Sequence, residues 1–233
     1  MNICIIPARG GSKRIPRKNV RDFCGKPMIS WSIEAALQSG LFERVIVSTD
    51  CQQIAKVARE HGAWVPFVRP AYLSDDHTPT IPVIRHAIDW LTAKSNSPRF
   101  VCCLYATAPF VQANDLKRGM QILQTDSVIE FAFSVTAFAF PVQRALLIDE
   151  GRLRMVQPEH ELTRSQDLPE TWHDAGQFYW GTPQAFANND GFFSARSAPV
   201  KIPLHRVQDI DKPQDWTRAE LIFRTMNSPS EAA

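Results

Sequence analysis

Residues 1–14 read MNICIIPARGGSKR, a short apolar run followed by a glycine pair and a group of cations. The run at residues 2–7 predicts a fully buried β-strand that ends before Gly10 and Gly11. In open α/β sheets, ligands bind beyond the carboxyl ends of the strands. The position of the glycine pair therefore predicts a ligand site directly after the first strand.

Beyond this strand, apolar and β-branched runs alternate with segments whose apolar residues recur at helical spacing, which is typical of βαβ units. Strands are predicted at residues 2–7, 44–48, 64–68, 100–105, 128–135, 138–142, 176–180 and 198–202. Helices are predicted at residues 28–38, 50–60 (capped by Asp50), 80–94, 113–124, 183–186 and 215–226, and a hairpin is predicted at residues 144–154. The sequence therefore predicts one α/β domain over residues 1–233, with three layers: a mostly parallel sheet and helices on both faces. Three segments then meet at one edge of the sheet: residues 9–19, 48–50 and 106–109.

Composition argues against several classes of protein. The net charge of +2 gives no overall attraction to nucleic acid or to a membrane surface. No apolar run approaches the roughly 20 residues of a membrane-spanning helix, and the N-terminus lacks the pattern of a signal peptide. The five cysteines are odd in number and form no CxxC pair, which favours reduced thiols. We therefore expect a cytoplasmic protein that binds neither nucleic acid nor membranes.

The loop after the first strand is strongly basic, and Asp22 is its one acid. Its cations are Arg9, Lys13, Arg14, Arg17, Lys18, Arg21 and Lys26. A solvated basic face is the alternative, but the glycines let backbone amides approach an anion closely. The loop is neither a Walker motif nor GxGxxG, and aromatic residues are not interleaved as a nucleic-acid surface requires. The segment therefore predicts a polyphosphate site.

A second motif, VQDID, lies near the other end of the chain. In an extended segment, residues two apart point to the same side, so Asp209 and Asp211 can converge on one cation. Carboxylate oxygens suit Mg²⁺, which takes further ligands from substrate phosphates. The alternative is that Asp211 only caps the helix that begins at Lys212 and Pro213. Together with a polyphosphate loop, the pair favours a magnesium site.

Four stretches carry a resemblance to a known family: ARGGSKRIPRKN, CCLYATAPF, TRSQDLPETWHDAGQFYWG and VQDID. From Ile3 to about Leu221, the chain resembles the CMP-sialic acid synthetase family, the cytidylyltransferases that activate acidic keto-sugars. The resemblance implies a nucleotide-diphospho-sugar transferase-like fold and transfer of CMP from CTP to the anomeric hydroxyl of a nine-carbon 2-keto sugar acid, with release of pyrophosphate. It also implies Mg²⁺ as cofactor and a homodimer formed through an inserted segment at about residues 135–172.

The same resemblance implies a role for particular side chains. The implied CTP-binding residues are Arg9, Gly10, Gly11, Ser12, Lys13, Lys18, Asn19, Arg69, Thr80 and Tyr105. The implied sugar-binding residues are Arg164, Gln166, His173, Asp174 and Gln177. Arg9, Lys13 and Asp211 are the implied catalytic residues, and Asp209 and Asp211 the implied metal ligands. The base that takes the hydroxyl proton stays open among a metal-activated water, Asp211 and His173, and a purely structural role for His173 is an equal alternative.

Two stretches depart from the sialic acid enzymes. Tyr105 stands where those enzymes have a glutamine that reads cytosine, and His173 stands where they have an arginine that meets the sugar carboxylate. Here the carboxylate could be held by His173, Arg164 or another cation. Both stretches, YATAP and HDAG, are similar to those of the family members that use pseudaminic acid, which is therefore the expected substrate.

The sequence leaves other functions open. The nearest keeps the reaction and uses sialic acid, legionaminic acid or an eight-carbon keto acid instead. A glycosyltransferase also combines a DxD motif with a nucleotide-binding sheet, although its DxD usually lies mid-chain. A non-catalytic nucleotide- or nucleic-acid-binding module would show affinity without turnover and a steep dependence on salt.

Overall fold

The computed structural model of the protein describes residues 1–228, and its centre is a six-stranded sheet. The strands are β1 (Asn2–Pro7), β2 (Asp22–Phe23), β3 (Lys26–Pro27), β4 (Arg44–Ser48), β5 (Phe100–Leu104), β6 (Phe131–Ala137), β7 (Leu146–Asp149), β8 (Arg152–Met155), β9 (Trp172–Gly181) and β10 (Ser197–Lys201). The central sheet has the order β10-β6-β9-β5-β1-β4. Its neighbours are parallel except for β9, which runs antiparallel to β5 and β6. The predicted mostly parallel sheet is confirmed.

Helices cover both faces of this sheet, as predicted. They are α1 (Met28–Ser39), α2 (Gln52–Glu60), α3 (Thr80–Thr92), α4 (Ala113–Thr125), α5 (Pro183–Asn188) and α6 (Pro213–Asn227). Cys4 and Ile6 of β1 point into the core shared with α1, α2 and α4. Ile3 and Ile5 point into the core shared with α3 and α5. Because successive side chains of a strand point to opposite faces, a strand buried on both sides must be apolar throughout.

A third apolar cluster joins the two ends of the chain. Ile15 and Phe23, from the segment after β1, pack with Ile210 and with Trp216 and Phe223 of α6. The rings of Phe23 and Trp216 meet edge to face at 5.4 Å between centroids. Full burial of side chains of this size contributes about 1.5–3 kcal/mol each. The cluster therefore fixes the DxD segment against the basic loop.

Three details of the predicted elements are wrong. Asp50 does not cap α2, whose N-cap is Cys51, because the Asp50 Oδ1 accepts a hydrogen bond from the Gly10 N–H at 2.9 Å instead. Residues 64–68 are not a strand. Only Trp64 pairs there, with Ile46, and Pro66 has no N–H for a sheet bond. Residues 138–142 are not a strand either, because β6 ends at Ala137 and a short 3₁₀ helix, Val142–Arg144, follows.

Strand β9 begins at Trp172, four residues before the predicted start, and it is irregular at its centre. The register with β6 shifts between Phe133 and Val135, and Gly176 has φ +61°. The Ser134 Oγ accepts the N–H groups of Gln177 and Phe178, both at 3.2 Å. This is a β-bulge, a feature that re-aims side chains next to functional sites.

The predicted hairpin at residues 144–154 is confirmed as β7 and β8, which turn at Glu150 and Gly151 with φ values of 46° and 76°. Two successive residues with positive φ are typical of a type I′ turn. None of the helices within residues 1–228 has both the length and the apolar character needed to cross a membrane. The last residues, SPSEAA, which the sequence suggests are frayed, lie outside the described residues except for Ser228.

Candidate active site

Two adjoining clefts lie at the carboxyl ends of β1, β4 and β5. The loop cleft is lined by Pro7, Arg9, Ser12, Lys13, Arg14, Lys18, Asn19, Asp76 and Asp211. The tyrosine cleft shares Pro7, Arg9, Lys18, Asn19 and Asp76 with it and adds Arg69, Thr80 and Tyr105, among others. The three segments predicted to meet at one edge of the sheet do meet there. Most of the predicted CTP-binding residues therefore line one continuous opening.

Cations of the loop are paired with carboxylates from distant segments. Arg9 reaches the Asp76 Oδ1 at 3.0 Å, and Lys13 contacts the other oxygen of the same carboxylate. The Arg14 guanidinium bonds the Asp211 Oδ2 at 2.6 Å. Lys18 lies between the Ile210 carbonyl, at 2.7 Å, and Asp211 Oδ1, at 3.5 Å. The charges are therefore already held in one place, where they can bind an anion.

At one of the two positions of the glycine pair, there is no room for a larger side chain. A Cβ on Gly10 would lie 2.9 Å from the Cβ of Cys51, so a larger residue would push the loop off the start of α2. Gly11 has open space around its Cα. Behind the pair, the Asn19 side chain donates to the Arg9 carbonyl at 3.1 Å. Asn19 thus supports the loop backbone, and its role toward CTP stays a prediction.

Asp211 is free to face the loop because it does not cap α6. The N–H groups of Asp211 and Lys212 bond the Asp215 carboxylate instead, at 3.2 and 2.8 Å. Burial, and then the Asp211 charge, raise the pKa of Asp209. A carboxylate whose ionisation is disfavoured by a neighbouring negative charge is a place where a cation is stabilising.

Hard oxygen donors of this kind fit Mg²⁺. Within residues 1–228, no cluster of three or more His, Cys, Asp or Glu side chains is arranged to hold a metal unaided. Magnesium is commonly bound by one or two carboxylates together with substrate phosphates. A pair of aspartates beside a basic loop matches that ligand set.

Arg69 is the most deeply buried cation of the tyrosine cleft, with 4% of its side chain exposed. Its Nε donates to the Ser74 Oγ at 3.2 Å, and one of its amino groups lies 3.6 Å from Asp50 Oδ1. That amino group has no hydrogen-bond partner within the described residues. Burial lowers the pKa of Arg69, against the opposing effect of Asp50. An unsatisfied buried donor is costly, so this group is poised for an acceptor on a ligand.

The tyrosine cleft also contains an interacting pair of hydroxyls. Tyr105 follows β5, and its hydroxyl lies 3.0 Å from the Thr80 Oγ1 at the start of α3. The Tyr105 backbone is fixed on both sides, since its N–H donates to the Gln177 carbonyl and its carbonyl accepts from Ser32, both at 2.8 Å. Burial raises the pKa of Tyr105 to about 12. The hydroxyl therefore keeps its proton at neutral pH.

The sequence profile of the family described as Cytidylyltransferase matches residues 3–211. This chain belongs to the cytidylyltransferase family. It is 45% identical over 225 residues to a pseudaminic acid cytidylyltransferase of Campylobacter jejuni, with 96% of each chain covered. It is 34% identical over 228 residues to a CMP-N,N'-diacetyllegionaminic acid synthase of Legionella pneumophila, with 95% of each covered.

The likeness extends to solved structures. A CMP:2-keto-3-deoxy-manno-octonic acid synthetase complexed with CTP superposes with a TM-score of 0.71 at 17% identity, covering 97% of this chain and 99% of that one. At such low sequence identity, the superposition shows only that the two proteins share a fold. It confirms the predicted nucleotide-diphospho-sugar transferase-like architecture.

The residues predicted to meet the sugar are dispersed in this cytidylyltransferase. His173, Asp174 and Gln177 lie on the bulged strand β9, behind Tyr105. His173 Nδ1 lies 2.9 Å from the Asp174 carbonyl, an observation that favours its structural alternative. The Gln177 amide donates to the Arg206 carbonyl at 2.6 Å, and its own oxygen is buried without a partner within the described residues. Asp174 binds inward, to the Gly176 N–H at 2.8 Å and to the Tyr179 hydroxyl.

Arg164 and Gln166 are not brought to either cleft. Both are exposed on the segment between β8 and β9, and the Arg164 Nε bonds its own neighbour Asp167 at 2.7 Å. Their predicted contact with the sugar therefore has no counterpart within one chain, and it stays a prediction.

Sequence reasoning missed three residues of the site. Asp76 and Arg14 complete the charge pairs of the loop cleft, and the fully buried Tyr179 lies behind Tyr105. Arg14 was visible as one of several loop cations. Asp76 and Tyr179 gave no signal, because their partners are far away in the sequence and a tyrosine in a strand is normally a core residue.

Proposed function

We propose that this cytidylyltransferase transfers CMP from CTP to the anomeric hydroxyl of pseudaminic acid and releases pyrophosphate. The observation that carries the proposal is the 45% identity to the C. jejuni enzyme, which extends over 96% of both chains. The basic loop, the paired aspartates and the adjoining tyrosine cleft support it as well, since the residues predicted to bind a polyphosphate, a metal and a nucleoside come together at one sheet edge.

The charges of the loop cleft suit the triphosphate. In the proposed complex, Arg9 and Lys13 leave Asp76 and pair with phosphate oxygens, while Ser12 and the Gly11 amide approach the same oxygens. The Gly10 N–H is held by Asp50 Oδ1 at 2.9 Å, so the contribution of Gly10 is to let the loop backbone come close. The sugar hydroxyl attacks the α-phosphorus in line, its proton passes to a base in the cleft, and the bond to the bridging oxygen of pyrophosphate breaks. Such chemistry depends on positioning and charge stabilisation rather than on covalent catalysis.

Magnesium is the proposed cofactor, held by Asp209 and Asp211 together with phosphate oxygens. When bound, the ion would neutralise the negative charge that develops on the phosphate oxygens. Arg14 contacts Oδ2 of Asp211 at 2.6 Å, and Lys18 lies 3.5 Å from Oδ1, so the two cations hold that carboxylate in place. These cations therefore orient the proposed metal ligand and add positive charge to the loop cleft.

A homodimer is the proposed assembly, formed through the segment at residues 135–172. This segment carries a cluster of exposed apolar side chains, namely Phe138, Phe140, Val142, Leu146, Leu147, Ile148, Leu153, Val156 and Leu162. An exposed apolar patch of this extent is typical of an interaction site. Sedimentation analysis is expected to give a dimer, and charged replacements at Ile148 and Leu153 are expected to give monomers.

The free cysteines fit the proposed cytoplasmic location.

The decisive experiment is release of pyrophosphate from CTP and Mg²⁺ with a panel of acceptor sugars. The panel contains pseudaminic, legionaminic and sialic acids and the eight-carbon keto acid. Pseudaminic acid is expected to give the highest kcat/KM. Preference for another acid would overturn the narrow substrate, and turnover with none of them would overturn the proposed reaction. A nucleotide sugar donor in place of CTP tests the glycosyltransferase alternative.

A further inference from the structure

The loop cation Arg14 contacts one of the two proposed metal ligands. Its guanidinium Nη1 lies 2.6 Å from the Asp211 Oδ2, which is one of the two oxygens that this carboxylate can offer to a metal ion. A hydrogen bond between two charged groups is stronger than one between neutral groups. In the free protein, Arg14 therefore keeps the Asp211 carboxylate oriented. The same contact also places a positive charge where a divalent cation has to approach.

Lys18 approaches the other oxygen of the same carboxylate, but it is held differently. Its Nζ donates to the Ile210 carbonyl at 2.7 Å and lies 3.5 Å from the Asp211 Oδ1, and 20% of its side chain is exposed. The Arg14 side chain is 66% exposed. Arg14 can therefore turn away from Asp211 with little loss of packing, whereas Lys18 stays bound to the backbone beside it.

A polyphosphate in the loop cleft offers Arg14 another partner. Arg14 lines that cleft together with Ser12 and Lys13. A guanidinium binds phosphate oxygens in the same forked geometry in which it binds a carboxylate. Because a triphosphate carries more negative charge than one carboxylate, it competes with Asp211 for the guanidinium. When Arg14 turns to the phosphates, the Asp211 Oδ2 loses its cation and becomes a better ligand for a metal ion.

We propose that Arg14 is an electrostatic gate on the metal site, which opposes binding of a divalent cation to Asp211 until a polyphosphate takes the guanidinium. This inference rests on the proposed function and adds the order in which its ligands bind. Coupling between two ligands is reciprocal, so a nucleotide and a metal ion raise each other's affinity by the same factor. The metal ion therefore binds together with the nucleotide or after it, and the free protein has little affinity for the ion alone.

Titration of the nucleotide-free protein with Mn²⁺ alone tests the gate. Mn²⁺ takes the same kind of oxygen ligands as Mg²⁺, and the electron paramagnetic resonance signal of the unbound ion measures how much is bound. Arg14→Gln removes the charge and is expected to lower the Kd for Mn²⁺ roughly tenfold. A Kd for Arg14→Gln as weak as that of the wild type would overturn the inference.

Arg17→Gln is the matched control, because it removes a cation of the same loop without touching Asp211. Arg17 is exposed, and within the described part of the chain its side chain makes no hydrogen bond that caps the short helix Lys18–Val20. Its Kd for Mn²⁺ is expected to stay close to that of the wild type. An equal gain in Arg17→Gln would mean that the total charge of the loop is responsible, and it would overturn the gate.

Two further variants show whether the gained affinity belongs to Asp211. Asp211→Asn, combined with Arg14→Gln, is expected to abolish the gain, and Arg14→Lys, which keeps the charge, is expected to show none. A gain that survives Asp211→Asn would overturn the inference. Damage to the fold weakens metal binding, so it cannot imitate a gain. The titration uses neither CTP nor sugar, so its failure is distinguishable from failure of the proposed function, which pyrophosphate release by the wild type measures.

Discussion

Arg14 and Asp211, 197 positions apart in the sequence, form an ion pair with 2.6 Å between the guanidinium Nη1 and the carboxylate Oδ2. The pair connects the loop after the first strand to the segment before the last helix. It is held by the apolar cluster in which Ile15 and Ile210, each next to one member of the pair, are both fully buried. Packing therefore brings together the segments proposed to bind the phosphates and the metal.

Asp211→Ala is expected to reduce turnover below detection while the protein stays folded. The change removes a proposed metal ligand and leaves Arg14 and Lys18 without their partner. Pyrophosphate release and the far-UV circular dichroism spectrum measure the two properties. Asp190→Ala, which removes a carboxylate that is 95% exposed, is the control and is expected to be fully active. Near-normal activity of Asp211→Ala would remove this residue from the metal site.

Lys13→Ala is expected to lower kcat/KM about 10²–10³-fold, the size seen when one fixed donor to a developing charge is lost. Lys13 is 81% exposed, so the change is expected to leave the melting temperature unaltered. Lys56→Ala, which removes a similarly exposed lysine from α2, provides the comparison. An unchanged rate for Lys13→Ala would contradict the role of the loop.

Asp76→Asn is expected to bind CTP several-fold more tightly than the wild type. In the free protein, the Asp76 carboxylate pairs with Arg9 and Lys13, so a triphosphate that binds these cations has to displace it. The Kd from calorimetric titration is the measurement, with Asp190→Asn as a surface control. A weaker affinity in Asp76→Asn would mean that this carboxylate assists the nucleotide instead of competing with it.

In the metal-free protein, Asp209 is expected to make the free energy of unfolding depend on pH. Because burial and Asp211 raise its pKa in the folded state, ionised Asp209 is destabilising. The free energy of unfolding is therefore expected to fall as the pH rises through that pKa, and the loss is absent at lower pH. Urea denaturation in EDTA between about pH 4 and pH 8 measures it. The Asp209→Asn variant is expected not to show this fall. If its unfolding free energy depended on pH in the same way as that of the wild type, the prediction would be wrong.

The buried pair of Asp115 and Arg206 is expected to dominate the stability of the sheet edge. Both side chains are almost fully buried, and the Arg206 Nη1 donates to Asp115 Oδ2 at 2.6 Å. Asp115→Ala leaves the guanidinium buried and unpaired, which costs about 3–5 kcal/mol of unfolding free energy. Arg118→Ala removes the half-exposed second partner of the same carboxylate and is expected to cost less than about 1 kcal/mol. Equal losses in urea denaturation would contradict this assignment.

Local sequence patterns predicted most of the fold. Strand β1 is apolar at every buried position, and α1 ends at Gly40, whose φ of +67° few other residues adopt. Such signals lie within a few residues of one another. The failures occur where a distant group takes over. Asp50 is a normal capping residue by sequence, but the Gly10 N–H, 40 positions away, uses its carboxylate.

The sequence by itself determined the chemistry of this protein: a glycine pair among cations, two aspartates two residues apart, and the stretches that resemble one family. These properties depend on residue type and local spacing, which need no fold to be recognised. Only the tertiary structure decided which charges meet. Asp76 pairs with Arg9 and Lys13, Tyr179 lies behind Tyr105, and Arg164 stays outside both clefts. The physical reason is that these contacts join elements whose distance is set by packing of the sheet and its helices, and no local periodicity records it.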